Sequence, residues 1–270
     1  MIFFPCWTYK TFHRIPNFIK RARKVKSAFP EYSILRASID AGYRQSFYRK
    51  YTELNEKLIH ERAQSLGYIV AEGPPAMYGE TVLERQYDKE DFRPPRGSLV
   101  IDVGGAYGDT AVWYAKEFGA NVIVFEPLKE RYNAILKNAE ANGVSDKVKA
   151  YNIALGSGAQ QKGSIWKGMF TVLDGDTAFE TKRLDDLGLK DAWLIKIDVE
   201  GFECEVLRGA INTINNSNPK IILEAHSSKL NRECIEMLSE HGYELKYVGK
   251  TQRCTNQKFD LVRVLFFEHT

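Results

Sequence analysis

Long apolar runs are missing from this 270-residue sequence. No segment approaches the ~18 uninterrupted apolar residues of a membrane-crossing helix, so no span is expected. Cysteine is sparse and scattered. Cys6, Cys204, Cys234 and Cys254 include no C-x-x-C pair, which argues against a thiolate metal site and a disulfide scaffold and makes reduced thiols the expectation. A targeting signal is missing too. The apolar opening at 1–7 is too short for a signal-peptide core, and basic residues follow it rather than precede it; a cytoplasmic protein is expected. Acid is absent from residues 1–30, which carry seven Lys or Arg, while the remainder holds 31 basic against 35 acidic residues. The net positive charge is thus a property of the N-terminal segment. The dinucleotide fingerprint G-x-G-x-x-G is also missing: residues 104–109 read G-G-A-Y-G-D.

What is present begins at 99–109, Leu-Val-Ile-Asp-Val-Gly-Gly-Ala-Tyr-Gly-Asp. Four apolar residues around one acid read as a buried parallel strand. A glycine-rich turn follows, and Ala111, Ala115 and Phe118 then fall at helical spacing. Gly104, Gly105 and Gly108 allow backbone angles that a side chain forbids and the close approach of a ligand. A second strand at 121–125 ends in Glu126-Pro127. That puts a carboxylate where ribose hydroxyls lie across the crevice of a doubly wound sheet. Asp102 stands just before the glycines, where a pyrophosphate would be repelled. S-adenosylmethionine instead offers a sulfonium cation, an amino group and ribose hydroxyls. Acids at Asp102 and Glu126 therefore favour that cofactor over NAD, with Gly104, Gly105, Tyr107 and Gly108 as its loop.

Around this unit the chain divides. Phe18, Ile19, Ala22, Val25 and Phe29 share a helical face, with Lys20, Arg21, Arg23, Lys24 and Lys26 mostly opposite. Such a helix suits contact of residues 1–30 with an anionic membrane surface or a polyanion, but the motif is unspecific and packing on the domain with a solvated basic face is the preferred reading. Residues 31–66 read as one or two helices, and 68–70 with 77–83 as a β-hairpin across Gly73-Pro74-Pro75. Pro94-Pro95-Arg96-Gly97 marks a break. The expected organisation is a helical and hairpin addition over 1–90 and a nucleotide-binding domain over 91–270. In the latter, strands and helices alternate: helix 129–141, strand 147–153, a Gly- and Ser-rich loop with an edge strand over 156–175, strand 193–199, helix 203–214, strand 219–225, helix 229–240, and a terminal antiparallel hairpin. Asn152 and Ile153, at the end of the third strand, would face the adenine.

Residues 193–201, Trp-Leu-Ile-Lys-Ile-Asp-Val-Glu-Gly, form the second informative stretch. Ile195, Ile197 and Val199 alternate with Lys196, Asp198 and Glu200, and charge on one face of a buried strand is expensive unless it is paired or opens into a cleft. Asp198 and Glu200 are expected at the methyl end of that cleft, Asp198 also touching the cofactor. Lys196 would pair with Asp198 or steady developing charge. His226 and Glu224, at the next strand end, are further candidates for the base. Asp198, Glu200, Glu224 and His226 are ligand types for a divalent cation, but their spacing is not diagnostic and no metal is assigned.

With those residues in view, the chain resembles the FkbM family of S-adenosylmethionine-dependent methyltransferases. The resemblance runs from about 79 to 226 through VIDVGGAYGDT at 100–110, VFEP at 124–127, NAEANG at 138–143, RLDDL at 183–187, LIKIDVEGFECEVLRGA at 194–210 and PKIILEAH at 219–226. The family's loop usually reads D-x-G-A-N-x-G; here positions 105 and 106 are Gly and Ala. The resemblance implies the class I methyltransferase fold, an α/β architecture with a Rossmann-like, seven-stranded, mostly parallel sheet and an antiparallel last strand. It also implies O-methylation of a sugar, glycan or other natural-product hydroxyl, hence a small-molecule or glycan acceptor. Two rival readings are an RNA methyltransferase and a non-catalytic cofactor-binding module with a basic arm. Against nucleic acid stands the absence of the usual catalytic Cys or N-P-P-Y loop at the fourth and fifth strand ends.

Overall fold

The computed structural model of the protein describes residues 41–158, 160–166, 169–171, 177–253 and 261–270. The basic segment 1–30, with the helix expected over 18–29, lies outside the described residues. The helices are α1 (Ala41–Ser65), α2 (Pro75–Tyr78), α3 (Asp109–Phe118), α4 (Lys129–Ala141), α5 (Glu203–Arg208), α6 (Ile211–Ser217) and α7 (Ser228–Glu240). The main strands are β1 (Leu99–Val103), β2 (Asn121–Phe125), β3 (Val148–Tyr151), β8 (Ala192–Ile197), β9 (Lys220–Ala225), β10 (Tyr243–Arg253) and β11 (Leu261–His269). Between them lie β4 (Ala154–Leu155), β5 (Gln160–Trp166), β6 (Met169–Thr171) and β7 (Thr177–Lys182).

Among the described residues, seven strands form one sheet in the order β10-β11-β9-β8-β1-β2-β3. The five from β9 to the β3 edge run parallel, and β11 pairs antiparallel with both β9 and β10. This is the Rossmann-like sheet with an antiparallel terminal hairpin that the sequence predicts. The parallel strands are largely apolar because helices cover both faces, with Asp102 of β1 and Lys196 of β8 buried as an ion pair. Side chains alternate between two cores: Val100, Leu194, Ile222 and Val264 pack with α3, while Ile101, Ile195, Ile221 and Leu265 pack with α5, α6 and α7. No helix among the described residues is long and apolar enough to cross a membrane.

Two expectations are corrected. The segment read as a loop with an edge strand holds β5 and β6, which with β4 and β7 make a second, four-stranded sheet. Ladder bonds come from the backbone, so Gly and Ser content conceals them. The hairpin expected over 68–70 and 77–83 is not formed: residues 68–70 have no strand partner, α2 follows at Pro75, and a π-turn occupies Gly79–Leu83. Pro75 supplies a helical φ at a position that needs no N–H donor. The backbone of 69–72 bonds instead to one side chain of α4 and one at its C-cap. Asn138 Oδ1 accepts from the N–H groups of Ala71 and Glu72, and Asn142 bonds both the N–H and the carbonyl of Ile69. Tyr68, Tyr78, Val82, Tyr87 and Phe92 thereby join the core over Val100 and α3.

Candidate functional site

The carboxyl ends of β1, β2, β8 and β9 converge, as ligand sites of open parallel sheets do. After β1 the chain turns sharply, with Gly104 and Gly108 at φ of +86° and +82° and Ala106 at +44°. A Cβ on Gly104 would overlap the Asp198 carbonyl oxygen, and one on Gly105 would overlap the Val124 side chain. One on Gly108 would press on Ile135 of α4 at 3.1 Å. The glycines are therefore required by the packing of the loop on the protein itself, in addition to any ligand.

The turn and the end of β2 border a cleft of about 140 Å³ whose walls include Gly104, Tyr107, Glu126, Ile153, Asp198 and Glu200. Glu126 is buried. Its two oxygens accept the N–H groups of Ala106 and Leu128, each at 2.9 Å, and each keeps a second lone pair for a ligand. Burial raises its carboxyl above the ordinary range against those bonds and the nearby Arg131. Asn152 and Asp102 stand differently from expectation. The Asn152 amide donates to the carbonyls of Glu126 and Pro127 and so shapes the strand end. Asp102 is fully buried behind the cleft wall, and Gly105 and Gly108 likewise face the protein.

Asp102 belongs to a charged cluster. Its Oδ1 accepts from Lys196 Nζ at 3.1 Å, and that ammonium lies 3.6 Å from Asp198 Oδ2 and 5.2 Å from the centre of the Tyr87 ring. Burial opposes charge on Lys196, but Asp102, Asp198 and Asp109 outweigh it and hold the ammonium above its usual range. Of the three charges read as sharing one strand face, only Lys196 is on the strand. β8 ends at Ile197, and Glu200 sits in the following turn at φ +53°. That turn carries Asp198 and Glu200 out of the sheet toward His226.

His226 is buried. Its Nδ1 lies 2.7 Å from Glu203 Oε1, and its Nε2 lies 3.5 Å from Glu200 Oε2 and 3.7 Å from Asp198 Oδ1. Glu203 also accepts the Gly201 N–H at 2.9 Å. Burial disfavours an imidazolium, yet Glu200, Glu203 and Asp198 hold His226 protonated well above the ordinary histidine range. Glu200 is in turn raised, chiefly by burial, with His226 pulling the other way. Glu224, at the end of β9, is pushed up to about 8 by burial and by Asp198. Tyr87 closes the group: its hydroxyl donates to Glu224 Oε2 at 2.8 Å and reaches Asp198 Oδ2 at 3.2 Å. Burial and those two acids keep the phenol protonated. Lys196, Asp198, Glu200 and His226 are thus brought together, as the sequence predicts, and Glu224 joins them. Tyr87 was not predicted; it lies in a charged stretch with no periodicity to mark it.

The family profile described as the methyltransferase FkbM domain matches residues 102–245. A protein named "Methyltransferase 1" from Beauveria bassiana (strain ARSEF 2860) is 23% identical over 189 residues, spanning 57% of this chain and 74% of its own. Among solved structures, a methyltransferase FkbM from Methylobacillus flagellatus KT aligns with 96% of this chain and 60% of its own at 16% identity and TM-score 0.46. A precorrin-6y C5,15-methyltransferase from Geobacter metallireducens GS-15 aligns with 66% of this chain and 84% of its own at 15% identity and TM-score 0.44.

Proposed function

The chain belongs to the FkbM methyltransferase family, and from that premise we propose that it moves the methyl group of S-adenosylmethionine to a hydroxyl of a sugar, glycan or other natural product. The observation that carries this reading is the adjacency of two sets of acids. Glu126 stands on the cleft beside the glycine turn, and Asp198 and Glu200 stand on its other wall. Glu126 suits the two ribose hydroxyls, while Asp198 and Glu200 suit the amino group and the sulfonium. A pyrophosphate there would face those three acids, with Arg131 as the cation on the lining.

Transfer is an in-line displacement. The acceptor oxygen's lone pair forms the new O–C bond, the C–S bond breaks, and its electrons stay on sulfur as a neutral thioether. Holding the three atoms in line removes up to about 7–11 kcal/mol of the barrier. The hydroxyl proton passes to a carboxylate, Asp198 or Glu200, because a His226 already protonated among three acids has no lone pair to receive it. Lys196 and Tyr87 hold Asp198 in place by its Oδ2 edge. Such proton removal is worth about 10²–10⁴-fold.

Calorimetry on the full chain tests the reading. S-adenosylhomocysteine should bind and NAD should not. Glu126→Ala should weaken the nucleoside by roughly 1.5–3 kcal/mol, the worth of hydrogen bonds to a charged group. Binding of NAD alone, or an unchanged affinity in Glu126→Ala, overturns it.

A further inference from the structure

We propose that Asp198, Glu224 and His226 form a site for a divalent transition-metal ion of the manganese type, which seats the methyl acceptor through two adjacent oxygens. Each of the three offers a ligand atom, and these atoms lie within 4.8 Å of one another. An ion about 2.0–2.4 Å from each ligand separates any two of them by no more than about 4–5 Å, so small side-chain rotations complete the shell.

The second observation is the carboxylate behind the histidine. Glu203 is wholly buried, and its Oε1 is fixed by the Gly201 N–H on one side and by His226 Nδ1 on the other. A proton on Nδ1 shared with a carboxylate sets the tautomer and aims Nε2 outward as a donor, the arrangement that metal-ligating histidines use. Nε2 accordingly faces Asp198 and Glu200. Charge points the same way. Four carboxylates, Asp198, Glu200, Glu203 and Glu224, surround one imidazole, and the nearest ammonium, Lys196, is already engaged by buried Asp102. Tyr87 occupies one oxygen of Asp198 and one of Glu224, and the other oxygen of each serves the ion. One imidazole with two carboxylates suits manganese, iron or zinc better than magnesium or calcium, which favour all-oxygen shells.

Three protein ligands leave positions open on a six-coordinate ion. Two adjacent oxygens of the acceptor, as in a vicinal diol or a hydroxyl beside a carbonyl, fill them as a chelate. Asp198 also borders the cleft, so a hydroxyl held on the ion stands next to the proposed methyl position. Coordination acidifies that hydroxyl. Its proton goes to Glu200, its oxygen pair attacks the methyl carbon, and the C–S pair leaves with sulfur. The chelating acceptor rests on the methyl-transfer reading above; the ion-binding site does not.

The test therefore reads metal binding directly. Mn²⁺ titrated into the full chain, followed by electron spin resonance of the free ion, should saturate at one ion per chain. The spin-echo modulation of the bound ion should show an imidazole nitrogen. Glu224→Gln and His226→Gln should each weaken binding at least about 10-fold, and Glu203→Gln by about 10–100-fold. No saturable binding of Mn²⁺ or Zn²⁺, no nitrogen coupling, or variants that fold and bind as the parent does would each overturn the proposal. The nitrogen signal decides even where a variant fails to fold. S-adenosylhomocysteine titrated into the same preparation separates the two readings. Nucleoside binding without metal binding sinks this site alone, and metal binding without nucleoside binding sinks the methyl-transfer reading alone.

Discussion

Asp109 opens α3 and is almost wholly buried, with Oδ2 accepting the Thr81 hydroxyl at 2.5 Å. Burial raises its carboxyl from 3.8 to about 6, against the Thr81 bond and the charge of Lys196, which pull it down. A carboxyl whose pKa is higher folded than unfolded contributes stability that is fully present below about pH 4 and lost as pH rises through about 6. From the two values the loss is about 1.6 kcal/mol at pH 5 and about 3 kcal/mol at pH 8, a difference of about 1.4 kcal/mol. Asp109→Asn removes the titration while keeping an oxygen for Thr81. It gives up the favourable placement of an anion at a helix start, about 0.3–1 kcal/mol. The variant should therefore be the more stable protein at pH 8, and its advantage should shrink on going to pH 5. At about 2–4 °C per kcal/mol for a chain somewhat smaller than this one, the Tm advantage should widen by about 3–6 °C between the two pH values. Melting both proteins at both pH values checks it, since every other titrating group cancels in the double difference. An advantage equal at pH 5 and pH 8, or a variant weaker at both, would mean that Asp109 is ionised in the folded protein and held by the helix and Lys196.

Asn138→Ala should cost about 3 kcal/mol, because it strands the N–H groups of Ala71 and Glu72 and the carbonyls of Glu72 and Tyr107, all of which the Asn138 amide now satisfies. Denaturant unfolding gives the magnitude, and amide exchange of residues 69–72 should accelerate more than that of β1; uniform acceleration would count against a local role. Tyr87→Phe removes the donor shared by Asp198 and Glu224 without touching the cleft wall. Turnover should fall about 10-fold or more, the worth of a hydrogen bond to a charged group, while affinity for S-adenosylhomocysteine holds. Turnover at the parent level would reduce Tyr87 to a packing residue.

The sheet is legible because β1 and β2 are short apolar runs between glycines or proline and β9 is one that starts after Pro219, and burial on both faces needs nothing subtler. The acids at 126, 198 and 200 are legible because they follow such runs, where a strand ends, whereas Asp102 and Lys196 sit inside strands as a buried pair. The features not legible in the sequence depend on partners distant in the chain. Residues 68–83 look like a hairpin because strand and irregular extended chain share composition. Only Asn138 and Asn142, some 70 residues on, decide that their side chains rather than a second strand receive that backbone. The glycines of 104–108 are expected to give a ligand room, and the structure adds a second requirement, since the Asp198 carbonyl, Val124 and Ile135 leave no space for a Cβ there. Asp102, expected as a cofactor acid, faces Lys196 across the β1–β8 register, where the two residues stand opposite each other. These corrections have one physical source. Segment 69–72 is pinned to α4, Tyr87 reaches Asp198 and Glu224, and Gly104 abuts the Asp198 carbonyl. The position of Asp198 is therefore set at once by the glycine turn, by Lys196 and by a tyrosine from the N-terminal segment. An aspartate whose backbone abuts the glycine turn and whose Oδ2 edge is held by Lys196 and Tyr87 has lost much of its conformational freedom before any ligand arrives, which is the condition under which a carboxylate can orient an incoming hydroxyl with little further entropy cost.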